Sequence, residues 1–550
     1  ASSGAVIAVE SGSYSDVMMT PSVGVSIVGR CAEQVVFQAS DSTQTAVSIS
    51  SDIPVSVSGI TFRDYHATLG ALAGNVTLDS IVVEGSHYTG IAIGNVHTTA
   101  ALTNVVVRGT RATATDTSSF GLYVGYGAQV TVQNSDFADN DYINAGVSGD
   151  GTPGAKLTLT SSVVRDGHPF GAAGGFGWGV YGSDKVTVTV DSSAIIDNQG
   201  FGVLMNSQSA TKNFATGIVK SSVIRGTGYD PVNKQGIGIE SNKSSIDVED
   251  STIAASNMMD MYASDGGATK IVRTAFLGTS IPDDPSSLGP IGLNLYAVPA
   301  TLQSVAFASV RVGAQFEGAT VAEVDDSIVA GTRTSPTGYY VDQNYVGVGL
   351  FVESAAQLTI NGSAITGAHT AGIITLGQTT ASHLYVTGTR AGGDGIAGRA
   401  VSAQGSASLT IDSSAFIDNT ETGVLASEHA TLALSNSIVD QTALDSTGEF
   451  GMGVFVGDDD VVATMDSITL RQSKGPALAV AGSGATMTKS VVVDNAIGVA
   501  VLGGSSLVEG DSNGDPKTVA ISSDTVFANN QTRIGSGNIP LPTALTTPAN

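Results

Sequence analysis

Aromatic, acidic and arginine side chains are concentrated in a few glycine-bounded segments of this sequence. Flat rings beside carboxylate and guanidinium groups suit polyhydroxylated ligands such as sugars, because the rings pack on C–H faces while the charged groups hydrogen-bond hydroxyls. The competing interpretation is that the same side chains only pack loop on loop, with surface ion pairs of little energy. The candidate binding residues are Trp178, Tyr229, Asp230, Arg333, Tyr339, Tyr340, Asp342, Arg390 and Asp394.

A second set of side chains could hold a cation. Asp511, Asn513 and Asp515 place side-chain oxygens at alternate positions, a spacing that can wrap calcium. The distant Glu that completes a full calcium loop is missing. The three aspartates at 458–460 are interpreted as a charged turn. The sequence therefore predicts that no cofactor is required and that calcium is an optional ligand.

Serine and asparagine recur at regular places, which favours a structural role over a catalytic one. Side chains stacked in this way can hydrogen-bond along the stack and satisfy the backbone of turns. Four aspartates that precede such asparagines, Asp139, Asp197, Asp418 and Asp494, are expected to point outward. The recurring residues are Ser80, Ser135, Ser162, Ser193, Ser251, Ser327, Ser363, Ser414, Ser437, Ser467 and Ser490, and Asn140, Asn198, Asn419, Asn495 and Asn529.

These residues belong to a repeat that covers almost the whole chain. Its fullest copies are residues 186–198, VTVTVDSSAIIDN, and 409–419, LTIDSSAFIDN. About 18 copies follow one another at a mean spacing of roughly 27 residues. Apolar and polar residues alternate with a period of two, and Val, Ile and Thr are frequent, which predicts short β-strands. Such strands must stack in parallel sheets around one core, so we predict an all-β parallel β-helix solenoid of about 18 or more coils.

Two further expectations follow from this register. The side chains of Val188, Ile195, Val203, Ile411, Val424 and Val454 should point into the core. The long insertions lie between the Asp-Asn end of one copy and the Gly-led strand of the next, at 167–178, 226–236, 278–292, 331–347, 388–399 and 441–451. Like corners of successive coils stack, so these loops, with Trp178, Tyr229, Tyr339 and Tyr340, should lie along one edge, where loops on a rigid scaffold often bind ligands.

The repeat, together with the openings at 9–14 (VESGSY) and 25–31 (VSIVGRC), resembles the right-handed parallel β-helix proteins of the pectate-lyase-like superfamily over about residues 5–530. This resemblance implies the fold but not the activity, because the superfold carries lyases, hydrolases, epimerases, adhesins and scaffolds. The Trp-Ile-Asp-His motif of pectate lyases and the Asn-Thr-Asp, Gly-His-Gly and Arg-Ile-Lys motifs of polygalacturonases are not found. Fragments such as 166–168 (DGH) and 283–284 (DD) are isolated, so no catalytic residue is assigned.

Composition narrows the partners. Lys and Arg total 23 against 49 acidic residues, and the net charge of −26 argues against a nucleic-acid partner. The single cysteine, Cys31, excludes an intrachain disulfide and is expected to be a small buried side chain. No apolar run approaches the ~20 residues of a membrane span. No leader segment is recognisable before the strand expected at 5–9.

The sequence thus predicts a secreted or cell-surface β-helix with a structural, adhesive or glycan-binding role and no turnover. One alternative is a polysaccharide lyase or glycoside hydrolase that acts in a groove along the solenoid, and another is a subunit of a larger surface assembly. The predicted organisation is first coils at 1–45, β-helix with corner loops at 46–530, and a Pro/Thr-rich tail at 531–550. The opening strand is expected to lack a cap of its own, so an absent N-terminal segment, a neighbouring copy in a homo-oligomer or another protein of a larger assembly should cover it. The alternative is that the early turns at 11–15 and 21–24 fold back over this end. A polysaccharide or cell-surface component is the expected partner.

Overall fold

The computed structural model describes residues 3–113, 118–149, 154–170, 175–208, 214–278, 290–334, 340–341, 344–393, 395, 397–457, 460–510, 516–536, 539–542 and 545. The proposed calcium residues Asp511, Asn513 and Asp515 lie outside these ranges, as do Tyr339, Asp342 and Asp394. Tyr340 is described by its backbone alone, in a two-stranded antiparallel pair, Tyr340–Val341 with Asn344–Tyr345. The chain divides into two compact units, Ala1–Lys270 and Ile271–Asn550.

Unit 1 contains three parallel sheets, here called A, B and C, and each coil after the first contributes one strand to each of them in that order, whereas the first coil contributes strands to sheets A and B alone. The strands of sheet A are Ala5–Val9, Val25–Gly29, Pro54–Ser58, Asn75–Asp79, Thr99–Thr103, Gln129–Gln133, Lys156–Thr160, Thr187–Asp191, Thr216–Lys220 and Ser245–Glu249. Those of sheet B are Gly12–Ser15, Val35–Gln38, Thr61–Arg63, Val82–Glu84, Val106–Arg108, Asp136–Ala138, Val163–Arg165, Ala194–Ile196, Val223–Arg225 and Thr252–Ala254. Those of sheet C are Thr45–Ile49, Ala67–Ala71, Thr89–Ile93, Phe120–Val124, Ile143–Ser148, Trp178–Ser183, Gly200–Asn206, Gly236–Asn242 and Met259–Ser264.

Unit 2 repeats the same plan, and the division between the units falls within the strand Thr269–Val272. Its sheet A strands are Pro299–Gln303, Val321–Asp325, Gln357–Asn361, Gln378–Ser382, Ser408–Asp412, Thr431–Ser435, Val462–Asp466, Gly484–Thr488, Ser506–Glu509 and Thr518–Ile521. Sheet B comprises Ala275–Leu277, Ala306–Ala308, Ile328–Ala330, Ala364–Thr366, Tyr385–Thr387, Ala415–Ile417, Ile438–Asp440, Thr469–Arg471, Val491–Val493 and Val526–Ala528. Sheet C comprises Ile291–Tyr296, Val312–Glu317, Val348–Val352, Ala371–Thr375, Arg399–Ala403, Thr422–Ala426, Met452–Gly457, Pro476–Ala481, Ile497–Leu502 and Thr532–Gly535.

The strands form because their side chains alternate between a face buried in the core and a face turned to solvent. In the sheet A strand Thr187–Asp191, Val188 and Val190 are buried, while the alternate residues Thr187 and Thr189 are half-buried at the surface. The predicted inward register is confirmed, since Val188, Ile195, Val203, Ile411, Val424 and Val454 are all at most 1% exposed. Each unit is therefore a parallel β-helix, as predicted. Cys31, however, is half-buried rather than buried.

The turn from sheet A to sheet B is held by a serine ladder. The Ser162 backbone N–H donates to Ser193 Oγ of the next coil at 3.1 Å, and Ser193 Oγ donates to the Asp191 carbonyl at 2.7 Å. Ser222, which the sequence analysis passed over, continues the ladder to Ser251. Ser80 and Ser467 were placed in the ladder wrongly. Both have positive φ, 54° and 57°, one residue before the ladder position, which Ile81 and Ile468 occupy in their coils.

The turn out of sheet B carries an asparagine ladder. Asn198 Oδ1 accepts from the Gly167 backbone N–H at 3.1 Å, and its Nδ2 donates to the Val164 carbonyl at 3.2 Å. Asn140, Asn419 and Asn495 accept from the preceding coil in the same way. Asn529 was misassigned: it has φ 55°, and Asn530 accepts from the Asn495 N–H. The preceding residue is left-handed in each coil, which explains why Asp139, Asp197, Asp418 and Asp494 turn their side chains away from the core.

Sheet C differs from the other two sheets because apolar side chains also occupy its outer face. In unit 2 the strand Thr422–Ala426 is buried at every position, and its outward Leu425 and Phe455 of the neighbouring strand Met452–Gly457 are inaccessible. Ile539 and Phe450 pack against them. In unit 1 the outer face carries Phe201, Leu204 and Ile237, which are 2–4% exposed. The continuous apolar runs of these strands are typical of strands buried on both sides.

Candidate functional site

The corner between sheets B and C in unit 1 carries a cluster of aromatic rings. Ring centroids lie 4.4 Å apart for Tyr142 and Phe176, 4.2 Å for Phe176 and Trp178, and 5.1 Å for Trp178 and Tyr181. Phe201 closes the inner side of the cluster, 5.5 Å from Trp178. All of these rings except Phe201 remain partly exposed. The corner thus presents aromatic surface to solvent rather than hiding all of it in loop packing.

Strand geometry explains why these rings meet. In the strand Trp178–Ser183 the consecutive residues Gly179 and Val180 both face the core, so Trp178 before them and Tyr181 after them project from the outer face of sheet C. Trp178 is paired with Ile143 in the parallel register, and Ile143 follows Tyr142 directly in the chain, so the rings of Trp178 and Tyr142 are neighbours. The backbone N–H groups of Gly177 and Trp178 both donate to the Tyr142 carbonyl at 2.9 Å, which fixes the loop end beside that ring.

A charged group flanks the rings, built from three successive coils. Arg111 donates to Asp139 Oδ2 at 2.7 Å and lies 3.4 Å from Asp141 Oδ1. His168 Nε2 lies 3.1 Å from Asp139 Oδ1. Burial raises the pKa of Asp141, while the Ala112 backbone N–H and Arg111 act in the opposite direction. We call these four residues together with Tyr142, Phe176, Trp178 and Tyr181 the corner site.

The Arg111 contacts form a motif that recurs in unit 2. Arg111 donates to both the backbone carbonyl and the carboxylate of Asp139, and Arg390 does the same to Asp418, with 2.7 Å to each carboxylate. In each case a Gly-Thr-Arg segment meets an Asp-Asn pair on the next coil. This arginine clasp ties one coil to the next. Arg333 also follows Gly-Thr, but the next coil has Gly367-Ala368 in place of Asp-Asn.

The predicted site residues of unit 1 take different places. Trp178 stands at the centre of the corner site, and Tyr229 is 43% exposed on the neighbouring loop. Asp230 is inaccessible and accepts from the Phe176 N–H at 3.2 Å, the Val232 N–H at 2.9 Å and Asn233 Nδ2 at 2.6 Å. These bonds outweigh desolvation and lower the pKa of Asp230. Asp230 therefore fixes the loop that carries Phe176.

His168 and Phe176 lie in the insertion at 167–178 that the sequence singles out, but Arg111, Asp141 and Tyr142 were not recognised as members of the corner site. Their separation along the chain hides that they are neighbours on stacked coils. One signal was available: the Gly-Thr-Arg segment occurs at 109–111, 331–333 and 388–390, yet only Arg333 and Arg390 were selected.

Glu240 occupies an unusual place on the outer face of sheet C in unit 1. In the parallel register it lies between Leu204 and Tyr262, and it is 9% exposed. Burial alone raises the pKa of Glu240 to about 7. A carboxyl group in such a setting is neutral over much of the acidic and neutral pH range.

Neither a metal centre nor a membrane helix is found in the described part of the chain. No group of three or more His, Cys, Asp or Glu side chains there has an arrangement that could hold a metal ion. The described residues also include no helix that is long and apolar enough to cross a membrane.

Residues 45–276 match the family model described as right handed beta helix region. This match gives the hand of the coils over that part of the chain, and the right-handed parallel β-helix is the fold that the repeat predicted. No curated protein matches the sequence.

Solved structures with a similar fold include three from different proteins. The tailspike protein 3 of bacteriophage CBA120 is 12% identical, with a TM-score of 0.33, and the match covers 65% of this chain and 53% of the tailspike, so the chain spans about half of that protein. The PL6 family alginate lyase AlyGC is 9% identical, with coverages of 97% and 98% and a TM-score of 0.31. The pre-mature bacteriophage phi29 gene product 12 is 10% identical, with coverages of 98% and 72% and a TM-score of 0.44. None of these likenesses extends beyond the fold.

Proposed function

We propose that this protein is a secreted or cell-surface β-helix that binds a polysaccharide at the corner site without turning it over. The observation that supports this role is the partly exposed cluster of Tyr142, Phe176, Trp178 and Tyr181 beside hydrogen-bonding charged groups. Aromatic faces contribute most of the contact energy where one side of a ligand is apolar, and polar groups at the edge orient it.

The charged part of the corner site favours binding over catalysis. Arg111 is shared between Asp139 and Asp141, and Asp139 also contacts His168, so the strongest acceptors are already engaged. A general base has to reach a substrate proton with a free lone pair. The clasp between Arg111 and Asp139 matches that between Arg390 and Asp418, which indicates that this part of the site is a structural device reused in both units.

Affinity electrophoresis in gels that contain single polysaccharides tests the binding role. Migration of the full chain should be retarded by at least one polysaccharide, and Trp178→Ala should abolish most of the retardation. Tyr126→Ala removes another tyrosine of unit 1 that is 52% exposed, and it should migrate as the unchanged protein does. His168→Ala, at a side chain that is 47% exposed, tests the polar edge without disturbing the ring cluster. Unaltered migration of both Trp178→Ala and His168→Ala would refute the proposal.

The second candidate function is a polysaccharide lyase or glycoside hydrolase. It is favoured by two carboxyl groups in one site, Asp139 and Asp141, and burial raises the pKa of Asp141. Pairs of carboxyl groups in different environments can divide the roles of acid and base. Release of reducing or unsaturated ends from a panel of acidic and neutral glycans, lost in Asp141→Asn, would establish this alternative and exclude binding without turnover.

A further inference from the structure

A groove on unit 2, separate from the corner site, runs along the turn from sheet A to sheet B. It has a volume of about 470 Å³ and crosses four successive coils. With a rise of ~4.8 Å per coil, the groove extends over about 14 Å. Its lining residues include His383, Tyr385, Ser413, Ala415, Asn436, Ile438, Ser467 and Thr469.

One wall of the groove is largely apolar. Tyr385, Ala415, Ile438 and Thr469 are paired in sequence along the parallel register of sheet B, one from each coil. Tyr385 is 41% exposed at one end of this row, and the shorter side chains of Ala415, Ile438 and Thr469 follow it. An exposed ring beside a shallow apolar strip is a platform for a flat ligand with C–H groups on one face.

The other wall is polar and follows the same spacing. His383, Ser413, Asn436 and Ser467 occupy the equivalent left-handed turn position on the four coils, with φ between 48° and 57°. Their backbone N–H groups are engaged with the next coil, so the side chains are what this wall offers to a ligand. Asn436 donates its Nδ2 to Asp412 at 2.7 Å, and its amide oxygen remains an acceptor.

The charge at the edge of the groove restricts the ligand. Ser435, Ser413 and Asn436 hydrogen-bond the carboxylate of Asp412 and lower its pKa to about 2. Asp466 also has a lowered pKa, through Thr488 and Ser467, and Lys489 lies 3.4 Å from it. Two carboxylates against one lysine leave this edge negative, which disfavours anionic ligands.

We propose that this groove binds a neutral oligosaccharide that lies along the direction in which the coils stack. A sugar chain has C–H groups on one side of its rings and hydroxyls at their edges, and it repeats along its length as the two walls do. A comparable groove on sheet A of unit 1, lined by Asn75, Thr77, Gln129 and Lys156, has no aromatic side chain and lacks such a platform. The proposal does not depend on the corner site.

Calorimetric titration of the full chain with neutral tetrasaccharides of glucose, xylose and mannose, and with an oligogalacturonate, tests this inference. At least one neutral tetrasaccharide should bind, Tyr385→Ala should weaken binding about tenfold, and the oligogalacturonate should not compete. Tyr296→Ala is the matched control, because Tyr296 is 43% exposed elsewhere in unit 2. Ala415→Gln, which fills the groove from its apolar wall, should weaken binding without removing a packed ring.

The outcomes separate the groove from the corner site. Binding that Trp178→Ala abolishes while Tyr385→Ala and Ala415→Gln leave unchanged would overturn the groove proposal and support the corner site. Equal losses in Tyr385→Ala and Tyr296→Ala, or no saturable binding of any neutral tetrasaccharide at millimolar concentration, would also overturn it.

Discussion

Arg399 and Glu421 form an ion pair inside unit 2 in which the two side chains are 0% and 3% exposed. Arg399 Nε donates to Glu421 Oε2 at 3.1 Å, and Nη2 donates to Oε1 at 2.8 Å. Glu421 has φ 59° at the start of a sheet C strand, and Arg399 opens the preceding one. The pair thus joins two neighbouring coils at the corner where loops are inserted, on the buried outer face of sheet C.

Removing one partner of this pair should be costly, because the other charge stays buried. Arg399→Met is expected to lower the free energy of unfolding by about 3–5 kcal/mol, measured by urea denaturation of the full chain. The double variant Arg399→Met/Glu421→Leu should recover much of the loss. Arg533→Met is the control, because Arg533 and Glu509 pair at the surface with 60% and 59% exposure, and it should cost less than about 1 kcal/mol.

Glu240 should make unit 1 less stable as the pH rises. Its folded pKa of about 7 lies above the ordinary glutamate value of 4.5, so the neutral form stabilises the fold. This contribution is complete below pH ~4.5 and is lost as the pH rises through ~7, with a total of about 3 kcal/mol. Denaturation between pH 5 and 8 should show this slope in the unchanged protein and a flatter profile in Glu240→Gln. Glu323→Gln, at an exposed position of sheet A, should keep the slope; if Glu240→Gln also keeps it, the assignment is wrong.

Each asparagine of the ladder should contribute measurably to the free energy of unfolding. Asn198→Ala leaves the Gly167 N–H without its acceptor, and it also removes the Nδ2 bond to the Val164 carbonyl and the bond from Asn144 Nδ2 at 2.8 Å. Unpaired buried groups cost ~1–3 kcal/mol each, so a loss of at least about 2 kcal/mol is expected. Amide hydrogen exchange at Gly167 should accelerate as well. Gln133→Ala, on the exposed face of sheet A, should change neither quantity.

A charged side chain introduced into the core of unit 2 should lower its stability strongly. Val424 is inaccessible in sheet C, and Val424→Asp would place an unpaired carboxylate among apolar side chains, with an expected loss of several kcal/mol. Val462→Asp makes the same change at a side chain that is 60% exposed on sheet A and should be nearly neutral. Equal stabilities of the two variants, by thermal unfolding monitored with circular dichroism, would contradict the register described here.

The fold was predictable because it depends on local patterns. Alternation in strands such as Thr187–Asp191 and the recurrence of Ser162 and Asn198 define the sheets and ladders without knowledge of distant contacts. Errors arose where one residue of register matters: Ser80 and Asn529 are polar turn residues too, and only φ separates them from the ladder positions.

The corner site was less predictable because its members come from different coils. Arg111, Asp141 and His168 meet through stacking, and the spacing between coils varies with the inserted loops. The burial of Glu240 was also not predictable, because the outer face of a strand is expected to be exposed to solvent. What covers a strand on its outer side depends on how loops fold, which the alternation of residues does not encode.

The ladders have a consequence for how such a chain can change its length. Coils that carry both the ladder serine and the ladder asparagine offer the same acceptors to the preceding coil and the same backbone donors to the next coil, so one such coil can replace another in the stack. Excising residues 162–192 would bring the Ser135 N–H to Ser193 Oγ, the same type of bond that it now makes to Ser162 at 3.2 Å. Gene duplications and deletions that span whole coils of this kind keep the ladder hydrogen bonds between the coils that remain. A shift of one strand by a single residue breaks these hydrogen bonds at every step.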